Sequence, residues 1–285
     1  MTNDTTDRYA PWYATPVVNR KHTLLMGVVN LTPDSFFDGG QLPTAQAACA
    51  HALALVRDGA HLLDLGAESS RPGAVPVDCE TELQRLLPVL AQLRECSVPL
   101  SVDTCHAVTA RRALAEGATM LNDISALRHD PRMAEVVAEA GCPCVLMHMQ
   151  GTPRTMQAAP RYGDVVSEIL RFFEERIAAA EVAGIAREQL WIDPGFGFGK
   201  SVAHNLTVLR ELDAFRQFGL PVLIGTSNKS TIGTVLDAKV DDRSEGTAAT
   251  VAVSVMKGAH CVRVHDVCAM GRVVRMTEAI LHGQK

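Results

Sequence analysis

The sequence predicts an α/β protein built as a single (β/α)8 TIM barrel, and three observations carry that expectation. Eight short apolar runs recur along the chain, each followed by polar or glycine residues and then by an Ala/Leu/Glu-rich stretch. Continuous apolar runs belong to strands buried on both faces, as in parallel sheets covered by helices. The chain has 285 residues, and an α/β barrel of about 250 residues folds as one domain. An open doubly wound sheet is the rival, because the same alternation would serve it too.

The strand runs fall at 24–29, 62–65, 100–102, 119–121, 145–147, 190–192, 222–224 and 261–264. Helical periodicity fills the intervals at 45–56, 80–93, 107–115, 132–140, 165–183, 205–218, 246–256 and 271–281. Gly59, Gly117, Gly141, Gly184, Gly219 and Gly258 stand just past helices, where a C-terminal cap wants positive φ. No low-complexity linker divides the chain, so it reads as a tail over 1–20 and one barrel over 21–285. Tyr9, Trp12 and Tyr13 in the tail suit a cover for the bottom of the barrel.

Composition narrows the function. With Lys+Arg 27 against Asp+Glu 32 the net charge is -5, which excludes a general nucleic-acid binder; any phosphate site must be local. Hydrophobic residues at 47% give enough material for a large core. No run is long and apolar enough to cross a bilayer, and the N-terminus lacks the apolar stretch of a secretory signal. The eight cysteines form no C-x-x-C pair, so reduced thiols in a cytoplasmic protein are expected.

A barrel carries its chemistry at the C-terminal ends of its strands. The residues following the eight runs are Asn30, Asp64 with Glu68, Asp103, Asn122 with Asp123, His148, Asp193, Ser227 with Lys229, and Arg263 with His265. A single polar strand end is only a turn meeting water; eight in register imply one shared mouth. The stretch N-L-T-P-D-S-F-F-D-G-G at 30–40 carries Phe36 and Phe37, which suit either a lid over an aromatic substrate or a hydrophobic plug. G-A-E-S-S-R-P-G at 66–73 sets two hydroxyls beside Arg71, a pairing for phosphate or carboxylate. D-P-G-F-G-F-G-K at 193–200 fails both the Walker A and the Rossmann spacing. What remains is a strand-end carboxylate and a glycine loop holding Phe196 and Phe198. His148 has no sequence partner that would make it a metal ligand and reads as a hydrogen-bonded mouth residue. The charges sort into acceptors (Asp103, Asn122, Asp193) and cationic donors (Arg71, Arg263, His265). Such a site suits a polar heterocycle at one end and a diphosphate at the other.

These motifs, with S-V-D-T (101–104), N-D-I (122–124), L-M-H-M-Q-G (146–151), S-N-K-S (227–230) and R-V-H-D (263–266), resemble the dihydropteroate synthase family from about Leu24 to Ile280. The resemblance implies a pterin-binding barrel, a homodimer, Mg²⁺ as cofactor, and condensation of 6-hydroxymethyl-7,8-dihydropterin diphosphate with 4-aminobenzoate in folate synthesis. It implies pterin contacts by Asp103, Asn122, Asp193, Lys229 and Arg263. Diphosphate contacts fall to Asn30, Ser70, Arg71, Arg263 and His265, with Mg²⁺ on Asn30. The aminobenzoate pocket takes Phe36, Pro72, Phe198, Ser227, Lys229 and Ser230, with Asp38 near the amine. Asp38, Asp103, Arg71, Lys229, Arg263 and His265 are the expected catalytic set. Two residues depart from the family pattern: Asn228 replaces an Arg and Ser70 a Thr, and the first places sulfonamide sensitivity in question. A methyltetrahydrofolate methyltransferase and a catalytically dead pterin binder are the competing readings. The first has no use for the Arg71, Arg263 and His265 cluster, and the second no reason to keep it.

Overall fold

A computed structural model describes residues 22–32, 45–69 and 73–283. The strands are β1 (Leu24–Asn30), β2 (Leu62–Gly66), β3 (Leu100–Asp103), β4 (Met120–Asp123), β5 (Cys144–Met147), β6 (Leu190–Asp193), β7 (Leu223–Ile224) and β8 (Cys261–Val264). They form one parallel sheet in the order β6-β5-β4-β3-β2-β1-β8-β7. A bridge between Ile192 and Val222 joins β6 to β7 and closes the ring. This is the (β/α)8 barrel, and the open-sheet rival is excluded by that closure. The short β7 explains why the sequence run began at Val222: that residue makes the bridge instead of the ladder.

Around the ring lie α1 (Ala45–Arg57), α2 (Cys79–Gln92), α3 (Ala107–Ala115), α4 (Met133–Ala140), α5 (Val165–Val182), α6 (Val202–Arg210), α7 (Ser230–Leu236), α8 (Ser244–Met256) and α9 (Val267–His282). The glycines expected past the helices all adopt positive φ, from 65° at Gly141 to 109° at Gly117. The largest differences from the periodicity are at two helices and one that it missed. The stretch 205–218 is α6 followed by a 3-10 turn over Leu212–Phe218, and α6 begins earlier because Ser201 accepts from the His204 amide. α9 begins at Val267, ahead of Gly271, because the Asp266 carboxylate caps the Ala269 amide at 2.8 Å. α7, which periodicity missed, is only seven residues long, too short to show an amphipathic repeat.

Strand residues alternate between the barrel interior and the helices, and the interior has two levels. The lower level is apolar: Leu24, Met26, Leu62, Met120, Val145, Trp191, Leu223 and Cys261 pack as one cluster. Two residues further along the same strands come Asp64, Asn122, Asp193 and Arg263. The outward residues join the large cluster with the helices, including Leu63, Leu65, Val102, Leu121, Leu146, Ile192 and Val264.

Candidate active site

The upper level is organised by Asp64, which is fully buried on β2. One carboxylate oxygen accepts from Ser101 Oγ at 2.7 Å. The other accepts from Asn122 Nδ2 at 3.1 Å and from Arg263 Nε at 2.6 Å. Arg263 also reaches Asp103 Oδ2 through Nη2 at 3.3 Å. Four strands, β2, β3, β4 and β8, are therefore tied by one polar network. Gly66 and Gly225 flank it; a Cβ at either would lie 3.6 Å from the Asp103 or Arg263 side chain. Arg263, grouped by the sequence with the cationic donors, is also bound to the acids. It lies among the acids, because three charges turned into one barrel interior leave water only if they pair.

That crowding sets the ionisation. Burial, then the Asp64 charge, pushes Asp103 up to about 8, against the pull of Arg263. Burial also raises Asp193 to about 6, opposed by the Gly195 amide and the charges of Lys229 and Lys200. Burial works against the charge on Arg263, but Asp64 and Asp103 outweigh it and raise its pKa.

Asp193 starts the glycine loop and accepts from the Gly195 amide at 2.7 Å. Gly195 has φ +69° and its missing Cβ would strike the His148 carbonyl, so no other residue fits there. Lys200, 2% exposed, closes the loop on itself. Its Nζ donates to the Gly195 carbonyl at 2.9 Å and the Phe198 carbonyl at 3.0 Å, and meets His148 Nδ1 at 2.9 Å. Burial lowers Lys200 to about 7 and, with the Lys200 charge, His148 to about 2. His148 is thus a neutral imidazole that holds Lys200. Asn205 and Tyr162 secure the same loop by bonds to the Gly197 amide and the Gly199 carbonyl. Phe198 packs with Met147, Met149 and Met156 and carries the Lys229 ammonium 4.1 Å from its ring centroid. Phe196 faces the outer core.

At the ends of β7 and β8, His265 Nδ1 lies 3.0 Å from Ser227 Oγ, which also accepts from the His265 amide. Residues expected in the aminobenzoate and diphosphate sites are thus directly joined. Asn228 follows with φ +58°, a left-handed conformation that asparagine tolerates better than other side chains. Its carbonyl accepts from Arg243 Nη1 at 2.8 Å. Lys229 is the N-cap residue of α7 and Ser230, exposed, is its first residue. Asn30 ends β1, half-buried and in register with Gly66.

Asp103, Asn122, Asp193, Lys229, Arg263, His265, Ser227 and Phe198 are therefore gathered at strand ends or in the loops just beyond. Phe36, Asp38, Ser70, Arg71 and Pro72 lie outside the described residues. Asp123 is not a mouth residue: its carboxylate turns away and accepts from the Ser125 and Leu127 amides. Sequence reading counted Asp64 among the strand-end residues without a specific role, and gave none to Lys200. The signal was present in L-L-D-L-G, an acid enclosed by leucines in a strand, and in the terminal lysine of the glycine motif.

The model of the pterin binding enzyme family matches residues 26–265. Dihydropteroate synthase from Escherichia coli K12 is 45% identical over 265 residues, 93% of this chain and 94% of that one. The chain belongs to the dihydropteroate synthase family. It is accordingly an enzyme of the transferase class. The Bacillus subtilis member is 42% identical over 92% of this chain and 90% of its own. A Xanthomonas albilineans dihydropteroate synthase solved with 4-aminobenzoic acid superposes with a TM-score of 0.87, at 45% identity, covering 93% and 94% of the two chains. The same enzyme solved with 7,8-dihydropteroate gives a TM-score of 0.83 at 43% identity, covering 93% and 95%.

Proposed function

We propose that this chain joins 4-aminobenzoate to 6-hydroxymethyl-7,8-dihydropterin diphosphate, giving 7,8-dihydropteroate and pyrophosphate. The observation that carries the reading is the Asp64–Arg263–Asp103 network facing a mouth that also holds Asn122, Asp193 and Lys229. The family supports it, as do the ligands named for the Xanthomonas albilineans structures.

A pterin edge offers paired N–H donors, and such donors stabilise the ionised form of an acceptor carboxylate. Asp103 and Asp193, held up by burial in the free protein, would lose their protons as those donors arrive. The C–O bond to the diphosphate then breaks. Positive charge spreads into the pterin, where Asp103 and Asp193 stabilise it, and Asn122 and Lys229 hold the ring. Negative charge gathers on the departing pyrophosphate, where Arg263, His265, Arg71 and Ser70 donate. The aminobenzoate nitrogen attacks the methylene carbon with its own lone pair, forming the C–N bond, and its proton leaves afterwards. No strong base is required; the family resemblance would put Asp38 near the amine. Phe198, Ser227 and Ser230 would line the benzoate pocket, to which the family resemblance adds Phe36 and Pro72.

The Asn30 side chain supplies a hard oxygen donor, which fits Mg²⁺ when waters and diphosphate oxygens complete its shell. Mg²⁺ bound there would screen the diphosphate charge. We further propose a homodimer: exposed Val235, Leu236, Val240, Met256, Met276 and Ile280 concentrate apolar surface on and between the last three helices. Asn228 in place of a cation weakens the hold on the benzoate carboxylate and extends to sulfonamides, giving a drug-tolerant enzyme.

Pyrophosphate release tests the reading. It should require the pterin diphosphate, 4-aminobenzoate and Mg²⁺ together, and Asp103→Asn should lower turnover by about 10²–10³-fold. Release within a few-fold of wild type in that variant, or methyl transfer to a corrinoid in place of release, overturns it.

A further inference from the structure

We propose that Glu68, Glu82 and His106 form a binding site for a divalent transition-metal cation, outside the network that faces the pterin.

The three side chains come from different elements. Glu68 follows β2, Glu82 lies on α2, and His106 precedes α3 at its N-cap position. One ligand atom from each can be chosen so that all lie within 4.8 Å of one another. Donors around a tetrahedral ion at about 2.0–2.2 Å stand about 3.3–3.6 Å apart, so small side-chain rotations complete the geometry.

An independent observation concerns Glu82. It is 0% exposed, and its buried Oε1 has no hydrogen-bond partner among the described residues, while Oε2 meets His106 Nδ1 at 3.0 Å. A buried carboxylate oxygen with nothing to accept from is costly. A structural Glu–His pair would account for Oε2 alone. It would not account for the orphan oxygen, nor for a second carboxylate, Glu68, set against the first. A cation coordinated by both carboxylates and the imidazole accounts for the orphan oxygen and for the second carboxylate together.

The donor set of one imidazole and two carboxylates suits Zn²⁺, Mn²⁺ or Co²⁺ better than a thiolate-seeking or all-oxygen ion. Three protein ligands leave a position for water. The His129 ring packs edge-on against His106 beside the site, with centroids 5.1 Å apart. Bound metal would fasten the loop after β2 to α2 and α3, three elements on one side of the mouth.

The test uses the tag-free full chain, titrated calorimetrically with Zn²⁺ in saturating Mg²⁺, so that hard-oxygen sites are already filled. The wild type should take up one Zn²⁺ per chain and melt at higher temperature with it. Glu68→Gln and His106→Ala should each weaken binding at least about 10-fold. Their melting in chelator, compared with wild type, verifies folding; Glu82→Gln is avoided because its site is fully buried. Co²⁺ gives a second readout, since its visible absorption should change when the His106 nitrogen is removed. Absence of uptake by the wild type, or equal affinity and an unchanged Co²⁺ spectrum in both variants, overturns the proposal.

Discussion

The two interior levels of the barrel are built from the same strands, two residues apart, yet they work in opposite ways. In the lower level Met26, Leu62, Val145 and Trp191 fill space, and any side chain of similar volume would do nearly as well. In the upper level Asp64, Arg263, Asn122 and Ser101 fill the same width with hydrogen bonds, each of which fixes an angle. The lesson is that a barrel can house charge in its centre only where an apolar layer below excludes water and a partner above neutralises it. Stability comes mainly from the first level and specificity from the second.

The sharpest way to break this comparison is to remove one residue from each level. Arg263→Ala strands the buried Asp64 charge and should cost about 3–5 kcal/mol by urea denaturation, with loss of pyrophosphate release. Met26→Ala leaves a cavity costing about 2–5 kcal/mol, with turnover of the folded fraction preserved. A double variant, Asp64→Asn with Arg263→Met, should recover much of the stability of Arg263→Ala but none of its activity. Equal activity losses in Met26→Ala and Arg263→Ala would show that the levels are not separate.

A smaller effect follows from ionisation. Asp103 and Asp193 have folded pKa values of about 8 and about 6, raised above the ordinary carboxylate value of 3.8. The folded chain therefore holds protons that the unfolded chain has released. Stability should fall as pH rises from about 4 to about 8, by at most about 1.4 kcal/mol per pH unit for each group. Asp103→Asn should flatten the upper part of that slope. Denaturation midpoints at several pH values check it, and an identical slope in the variant would remove Asp103 from the account.

The smallest effect concerns Asn228. Asn228→Arg places a long side chain at φ +58°, costing about 1 kcal/mol or less in melting experiments. It should lower the KM for 4-aminobenzoate and increase sulfonamide inhibition, because a cation returns beside the carboxylate. An unchanged KM would remove this position from the pocket.

Much of this was legible in the residues. Eight apolar runs dictated eight buried parallel strands, and the glycines past the helices met the positive φ that a cap requires. The polar residues beyond those runs pointed to one mouth, since few other folds bring eight strand ends together. The pairing of neighbours was not legible. Asn122 and Asp123 are adjacent and both polar, yet one enters the network and the other caps a turn, because alternate strand residues face opposite ways. Arg263 was expected among the cations and sits between Asp64 and Asp103, residues 199 and 160 positions away.

By itself, then, the sequence determined the elements, their order and the inventory of charged groups, because hydrophobic period and turn chemistry are local. Which acid meets which base, which carboxylate keeps its proton, and which lysine clasps a loop were decided only by closure of the barrel. Those properties depend on distance and on exclusion of water, and neither exists until distant strands stand side by side.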